Sequence, residues 1–268
     1  MSRYLVHPGT HVRLEAIDSG DTGKLRDEES ARAKLARDIE RLAQLQDVLY
    51  AEHRRAVLIV LQGMDTAGKD GTIKHVMSGV NPSGCEVAPF KVPTEEEAAH
   101  DFLWRAHRWA PRRGHIVIFN RSHYEDVLVP RVHRTVPKKV IETRYEQINA
   151  FERILMENDT LVLKFFLHIS KAEQRRRLQA RLDDPTKHWK FSVGDLKERT
   201  YWPRYQKAYA ALLSHCSTKH APWYVIPANT KWYRNLVVAN ILVKAIAALG
   251  CEYPPPTLSP AQLRRIRL

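Results

Sequence analysis

The stretch Gly63-Met-Asp-Thr-Ala-Gly-Lys-Asp70 places two glycines, a lysine and two carboxylates within eight residues. The apolar run Val57-Leu-Ile-Val-Leu61 precedes it and a helical pattern follows. A β-branched strand, a glycine-rich turn, a lysine and a helix are the parts of a phosphate-binding loop. Backbone N–H groups from Ala67 to Asp70 converge on phosphate oxygens, the helix N-terminus adds partial positive charge, and Lys69 adds a full one. Two positions depart from G-x-x-x-x-G-K-[ST]. Asp70 stands where a metal-binding hydroxyl is expected, and Asp65 sits inside the loop. A carboxylate facing phosphate repels it unless a cation lies between them, so Asp65 reads as a metal-side residue.

A second constellation, Ile116-Val-Ile-Phe-Asn-Arg-Ser-His-Tyr-Glu-Asp126, runs from a buried strand into one guanidinium and two carboxylates. These are the parts of a Mg²⁺-dependent phosphoryl-transfer site: Asp126 with Asp65 for the metal, Arg121 for charge on the transferring group. The same residues also suit a helix start, with Glu125 and Asp126 in a first turn favoured by the dipole. A third feature is the basic run Arg175–Arg177 with Arg181, Lys187 and Lys190. Adjacent helical arginines point in different directions, so only a subset can face one ligand. Their place after a strand's carboxyl end suits a mobile lid that binds phosphate and excludes water, with Arg177, Arg181 and Lys187 as contacts. Trp189 and Tyr201 read as packing rather than base-stacking residues.

The elements that must position these groups follow from periodicity. Leu35, Ile39, Leu42, Leu45 and Leu49 give an amphipathic helix over 30–50. Strands are expected at 57–62, 86–90, 115–120, 160–167 and 223–227. Helices are expected at 71–78, 94–109, 138–157, from Ser170, from Ser192 to Leu213, and at 232–249, with 130–137 irregular. Strands alternating with helices make a three-layer αβα sandwich around a five-stranded parallel sheet. All three motifs fall at strand carboxyl ends, where such sheets bind ligands. Residues 1–28 form an arm, 29–253 the main domain with a lid at about 170–200, and 254–268 a weakly ordered tail carrying Arg264, Arg265 and Arg267.

The 268 residues carry 43 Lys and Arg against 30 Asp and Glu, a formal charge of +13. That excess implies a nucleic acid, an anionic surface or a polyphosphorylated substrate as partner. Cys85, Cys216 and Cys251 lie far apart and outside any metal-ligand spacing, which points to buried thiols in a reducing compartment. With no secretory signal or apolar span, a cytoplasmic protein without membrane contact is expected.

Gly63-x-Asp65-x-x-Gly68-Lys69-Asp-Gly71, Phe119-Asn-Arg-Ser-x-Tyr124, His168-Ile-Ser-Lys-x-Glu-Gln-x-x-Arg177 and Trp189-Lys-Phe191 stand in order at fitting separations. Together they resemble the polyphosphate kinase 2 family, from about Thr10 to Tyr253. The resemblance implies a P-loop-kinase-like fold with a helical lid and reversible, Mg²⁺-dependent transfer of phosphoryl groups between inorganic polyphosphate and AMP or ADP. Mn²⁺ is a substitute metal, ATP a product and guanine nucleotides further acceptors. It makes Asp65, Lys69, Arg121 and Asp126 catalytic, places Arg121 and Glu125 by the nucleotide, and makes the lid arginines and Lys187 polyphosphate contacts. Glu125-Asp126, where diphosphate-specialised members tend to have Asn-Arg, resembles the short branch accepting both mono- and diphosphates. The chain ends of polyphosphate are expected near Lys69, with the nucleotide opposite, under 94–113, and a homo-oligomer is expected. An ATP-dependent nucleotide or small-molecule kinase would share the loop but require ATP. A non-enzymatic nucleic-acid or polyanion binder would share the charge, although carboxylates at strand ends repel such a backbone.

Overall fold

The computed structural model describes residues 2–266, so Arg267 lies outside it. Helix α1 (Glu28–Glu52) starts where the Asp27 carboxylate accepts from Ser30 N, and leads into β1 (Ala56–Gln62), buried along all seven residues. Then come α2 (Lys69–Val76), β2 (Cys85–Pro89), α3 (Glu95–Ala99), α4 (Trp104–Arg108), β3 (Ile116–Asn120), α5 (Glu125–His133) and α6 (Lys138–Glu157). The second half comprises β4 (Thr160–His168), α7 (Lys171–Leu182), α8 (Val193–Thr200), α9 (Trp202–His215), β5 (Trp223–Pro227), α10 (Lys231–Ala247) and α11 (Pro260–Arg265).

The strands form one parallel sheet in the order β2-β3-β1-β4-β5. The unbroken apolarity of β1 is explained by its central position, where both faces are covered by helices. Leu61 is level with Asn120 on one side and Phe165 on the other, so the segments leaving β1, β3 and β4 emerge side by side. The chain leaves β1 toward β2 but leaves β4 toward β5, and a crevice opens where those directions diverge. The arm before α1 does more than drape. Val6, Val12 and Leu14 are buried, and Leu5 pairs with Tyr224 along the outer edge of β5, protecting an otherwise open strand.

Four local expectations change. The helix expected over 94–109 is two, because the Asp101 carboxylate accepts from Leu103 N and starts a new turn. The helix expected from Ser192 to Leu213 breaks at Tyr201, because Pro203 has no N–H to continue the ladder and belongs at a helix start. Residues 125–133 are helical despite Pro130. The carbonyl its missing N–H would have bonded, Asp126 O, accepts instead from Arg144 Nη1 at 2.7 Å. The tail carries a short helix, Pro260–Arg265. The apolar face of α10 packs on α1 and into the core.

Beneath the β3–α5 turn lies a buried polar cluster. The Lys164 ammonium donates to Glu152, to the Tyr124 hydroxyl at 3.0 Å and to Cys216 O at 2.7 Å, and the Tyr124 hydroxyl donates to Glu152 at 2.7 Å. Burial works against the Glu152 charge, but Lys164 and His123 outweigh it and hold the carboxyl below its ordinary range. These bonds clamp His123 and Tyr124, hence the turn that carries Arg121 and Glu125.

His123 and His168 are buried, and burial lowers the pKa of each imidazole. His168 Nε2 meets Ile17 O at 3.1 Å while Nδ1 has no hydrogen-bond partner, and burial outweighs the pull of Asp18 and the Ile17 carbonyl toward the charged form. The unfolded chain therefore takes up protons first as pH falls. Stability is full above the ordinary histidine range and is lost below it. The melting temperature, followed by circular dichroism, is expected to drop between about pH 8 and about pH 5.5, and to drop less in His168→Asn. Equal slopes in both proteins would remove His168 from this account.

Candidate active site

The loop between β1 and α2 is shaped by what lies behind it. A Cβ on Gly63 would stand 2.8 Å from Leu167 O, and one on Gly68, at φ +106°, 1.9 Å from the Arg234 guanidinium. Only glycine permits both approaches. Thr66 and Arg121 hold left-handed backbone at φ 66° and 61°, a strain that ordered surroundings must sustain.

Arg177 supplies most of that order. Its Nε donates to Glu173, its Nη1 to Thr66 O and Ala67 O, both at 2.9 Å, and its Nη2 to Ala228 O and Asn229 O. Arg234, buried on α10, donates to Ala67 O at 3.2 Å, and Gln174 donates to Asp65 O at 3.1 Å. Carbonyls 65–67 are thus drawn backward, and the first-turn N–H groups of α2 remain without helical partners at its open end. The expectation that Arg177 contacts polyphosphate is corrected here. All five of its donors are taken by protein, and it builds the loop rather than touching the ligand.

Lys69 Nζ donates to Gly63 O at 2.8 Å, and burial, then the neighbouring Arg121, lowers its pKa. Arg121 Nη2 stands 2.9 Å from Asp65 Oδ1. Burial opposes the Arg121 charge, but Glu125 and Asp65 overcome it and hold the guanidinium above its ordinary value. Burial also pushes the Glu125 carboxyl up, against the pull of Arg121, Lys69 and Gln62. Asp65, Lys69, Arg121 and Glu125 therefore form one electrostatic cluster. Asp70 accepts from the Asn120 side chain at 2.6 Å, tying the loop to the end of β3.

Asp126 does not join them. As the next residue on α5 it points about 100° away from Glu125, and its carboxylate receives Arg105 Nη2 at 2.8 Å. Arg105 is only 4% exposed and also donates to Lys91 O. In this structure the Asp126 carboxylate, expected at the metal and in catalysis, is instead turned into a partly buried ion pair with Arg105. Glu125 and Asp126 are indeed first-turn residues of a helix, as their capping pattern allowed.

A cleft of about 1090 Å³ opens above the cluster. Eleven Lys and Arg side chains line it against four carboxylates, Glu28, Asp65, Asp70 and Asp195, so it holds over half of the chain's charge excess. Arg181 and Lys187 line its lid side, where Arg181 bonds Lys190 O and Asp195 and Lys187 pairs with Asp184. The opposite wall is Pro89, Phe90 and Lys91, and none of residues 94–113 reaches it. Trp189 is 78% exposed, which overturns the packing expectation, whereas Tyr201 packs on His133.

Sequence reasoning missed Arg234, Gln174 and Asp195. Arg234 had a signal: an arginine at an inward position of an otherwise apolar helix. Asp195 lies in the first turn of α8 and lines the cleft, where burial and then Asp65 raise its carboxyl pKa. Among the described residues, no three His, Cys, Asp or Glu side chains are grouped to hold a metal by themselves.

Comparison with known proteins settles the lineage. The model of the Polyphosphate kinase 2 (PPK2) family matches residues 25–252. The chain belongs to the polyphosphate kinase 2 family. It is 54% identical over 257 residues to the AMP/ADP-polyphosphate phosphotransferase of Meiothermus ruber, covering 96% of both chains. It is 47% identical to the ADP-polyphosphate phosphotransferase of Rhodopseudomonas palustris, over 83% of this chain and 81% of that one. The crystal structure of polyphosphate kinase 2 from Arthrobacter aurescens TC1 superposes with a TM-score of 0.94 at 43% identity, covering 98% of this chain and 94% of that one. Within this family frame the αβα sandwich, the parallel sheet and the lysine-bearing loop are all accounted for.

Arg177→Lys should test the loop-building role. A lysine cannot span the four carbonyls, and at ~1 kcal/mol for each bond lost the variant is expected to lose about 2–4 kcal/mol of stability in urea unfolding. Turnover should fall with it. A stable variant altered only in its KM for polyphosphate would return Arg177 to the ligand.

Proposed function

We propose that this protein is a Mg²⁺-dependent polyphosphate:nucleotide phosphotransferase that moves the terminal phosphoryl group of inorganic polyphosphate reversibly to AMP and ADP. The observation that carries this reading is the cationic cleft ending on the Asp65–Arg121–Lys69 cluster. Names of the M. ruber and R. palustris relatives support the substrate pair. Three unpaired cysteines, and no helix among the described residues long and apolar enough to cross a membrane, accord with work in the cytoplasm.

The chemistry asks for little covalent help. An acceptor phosphate oxygen attacks the terminal phosphorus, the bond to the bridging oxygen breaks, and the shortened chain leaves with the electron pair. The protein must align two phosphate chains and absorb their charge. The loop's N–H groups cradle the terminal phosphate. Lys69 exchanges Gly63 O for phosphate oxygens, and Arg121 exchanges Asp65 for the transferring group, whose charge it neutralises. Lid cations Arg181 and Lys187 extend the anion track, and lid closure excludes water. Asp65 and Glu125 are the carboxylates that would hold Mg²⁺ or Mn²⁺, which would supply further positive charge at the phosphoryl oxygens. Tolerance of both AMP and ADP, and of guanine nucleotides, rests on the resemblance to the short branch.

Incubation with Mg²⁺, polyphosphate and AMP or ADP, without ATP, should yield the next higher phosphate. Lys69→Ala and Arg121→Ala should each lower kcat by about 10²–10³. Raising salt from about 50 to about 200 mM should weaken polyphosphate binding steeply, by counterion release. AMP phosphorylation that strictly requires ATP, with polyphosphate inert, would favour an ordinary kinase.

A further inference from the structure

The lid carries an aromatic surface that phosphate recognition does not explain. Leu182, Trp189, Val193 and Leu196 are 45%, 78%, 76% and 43% exposed within one short segment. Trp189 sits in the 3-10 turn Pro185–Lys190 that joins α7 to α8, and it lines the cleft. The Lys190 ammonium lies 4.8 Å from the indole centroid, over one face. With most of the side chain exposed, the other face is bare.

Four apolar side chains exposed together, one of them an indole that lines a ligand cleft, mark a binding surface. Polyphosphate is a poor one. It presents only anionic oxygens, and the negative face of a π-system repels them. The lid already offers Arg181, Lys187 and Lys190 for that purpose. Among the proposed substrates the nucleobase is the planar, weakly polar part. Two other indole or phenyl rings line the cleft, and both are engaged. Phe90 is 4% exposed, against Phe119 and beneath Arg105. Trp232 stands edge-on to Tyr233, beside Lys231 and Arg234 at the cationic end.

We infer that Trp189 is the stacking platform for the acceptor's nucleobase, carried on the lid so that base binding and lid closure are one event. This deepens the phosphotransferase reading and rests on it for the identity of the ligand. The indole's free face covers the base while Lys69 and Arg121 hold the phosphates below. Stacking is tolerant of base identity, because every base has a π-face. The site therefore accepts adenine and guanine alike. It also separates the two substrates chemically: aromatic surface on the lid for the nucleotide, guanidinium and ammonium groups for the chain.

Two measurements test the platform apart from the reaction. In steady-state kinetics on the full chain, Trp189→Ala should raise the KM for AMP and ADP about tenfold, and to a similar extent for GMP, with the KM for polyphosphate unchanged. Trp189→Phe, which keeps a ring, should recover most of the loss. In fluorescence without polyphosphate, ADP should quench wild-type emission, and Trp189→Phe should remove that quench. A nucleotide KM unaltered in Trp189→Ala, or quenching by polyphosphate alone, would overturn the platform. A wild-type protein inert toward polyphosphate but still quenched by ADP through Trp189 would sink the reaction and uphold the platform.

Discussion

A loop that binds phosphate must turn its N–H groups toward the ligand and its carbonyls away, and here two buried guanidinium groups enforce that division. Arg177 and Arg234 reach the loop from α7 and α10, on different strand–helix units, and meet at Ala67 O. Neither finds a carboxylate sufficient to offset its burial, and Arg234 is pushed down to about 10 by burial and by Arg177. Placing two cations side by side behind the loop is unfavourable taken alone. It becomes tolerable because the peptide carbonyls supply the counter-dipoles, and it leaves a positive field where an anion docks. The glycines are the steric corollary: any Cβ at Gly68 would occupy the space of the Arg234 guanidinium.

The same constraint explains why an acidic residue belongs inside this loop. Arg121, at 43% side-chain exposure, has a partner in Asp65 at 2.9 Å. Lys69, on the other side, rests on Gly63 O. Both cations are thus held in place by weak local partners that a phosphate chain can displace. A stronger partnership, such as the buried Lys164–Glu152 pair, would be too costly to open. The two kinds of ion pair divide the labour. The buried pair fixes the β3–α5 turn, and the exposed pair remains exchangeable.

How much of this the sequence disclosed follows from the range of each interaction. The loop was legible because its signal is local, with strand, glycines, lysine and helix contiguous. The sheet was legible because β1 and β4 are apolar on both faces. The role of Arg177 was not, since its partners Thr66 and Asn229 lie on opposite sides of it, 111 and 52 residues away. A run of arginines looks the same whether one member faces ligand or peptide carbonyls. Glu125 and Asp126 illustrate the limit at short range: one helical step separates a cluster residue from the partner of Arg105, and composition does not say which way the helix is rotated. The break at Pro203 is different, because proline's missing N–H was visible in the sequence and the apolar periodicity concealed it.

The cleft is therefore a strained arrangement by construction. Eleven cationic side chains around about 1090 Å³ repel one another, and the lowered pKa values of Lys69, Lys231 and Arg234 record that repulsion together with burial. The carboxylates on the cleft wall soften the field without cancelling it, and Asp195 joins Arg181 so that part of the lid's charge is held internally until a ligand competes for it. An incoming polyanion relieves the repulsion. The interaction that draws the phosphate chain in is thus also the one that assembles the charge needed for transfer. The apolar groups of the lid have no part in that electrostatic balance, which is why their exposure calls for a ligand of different chemistry.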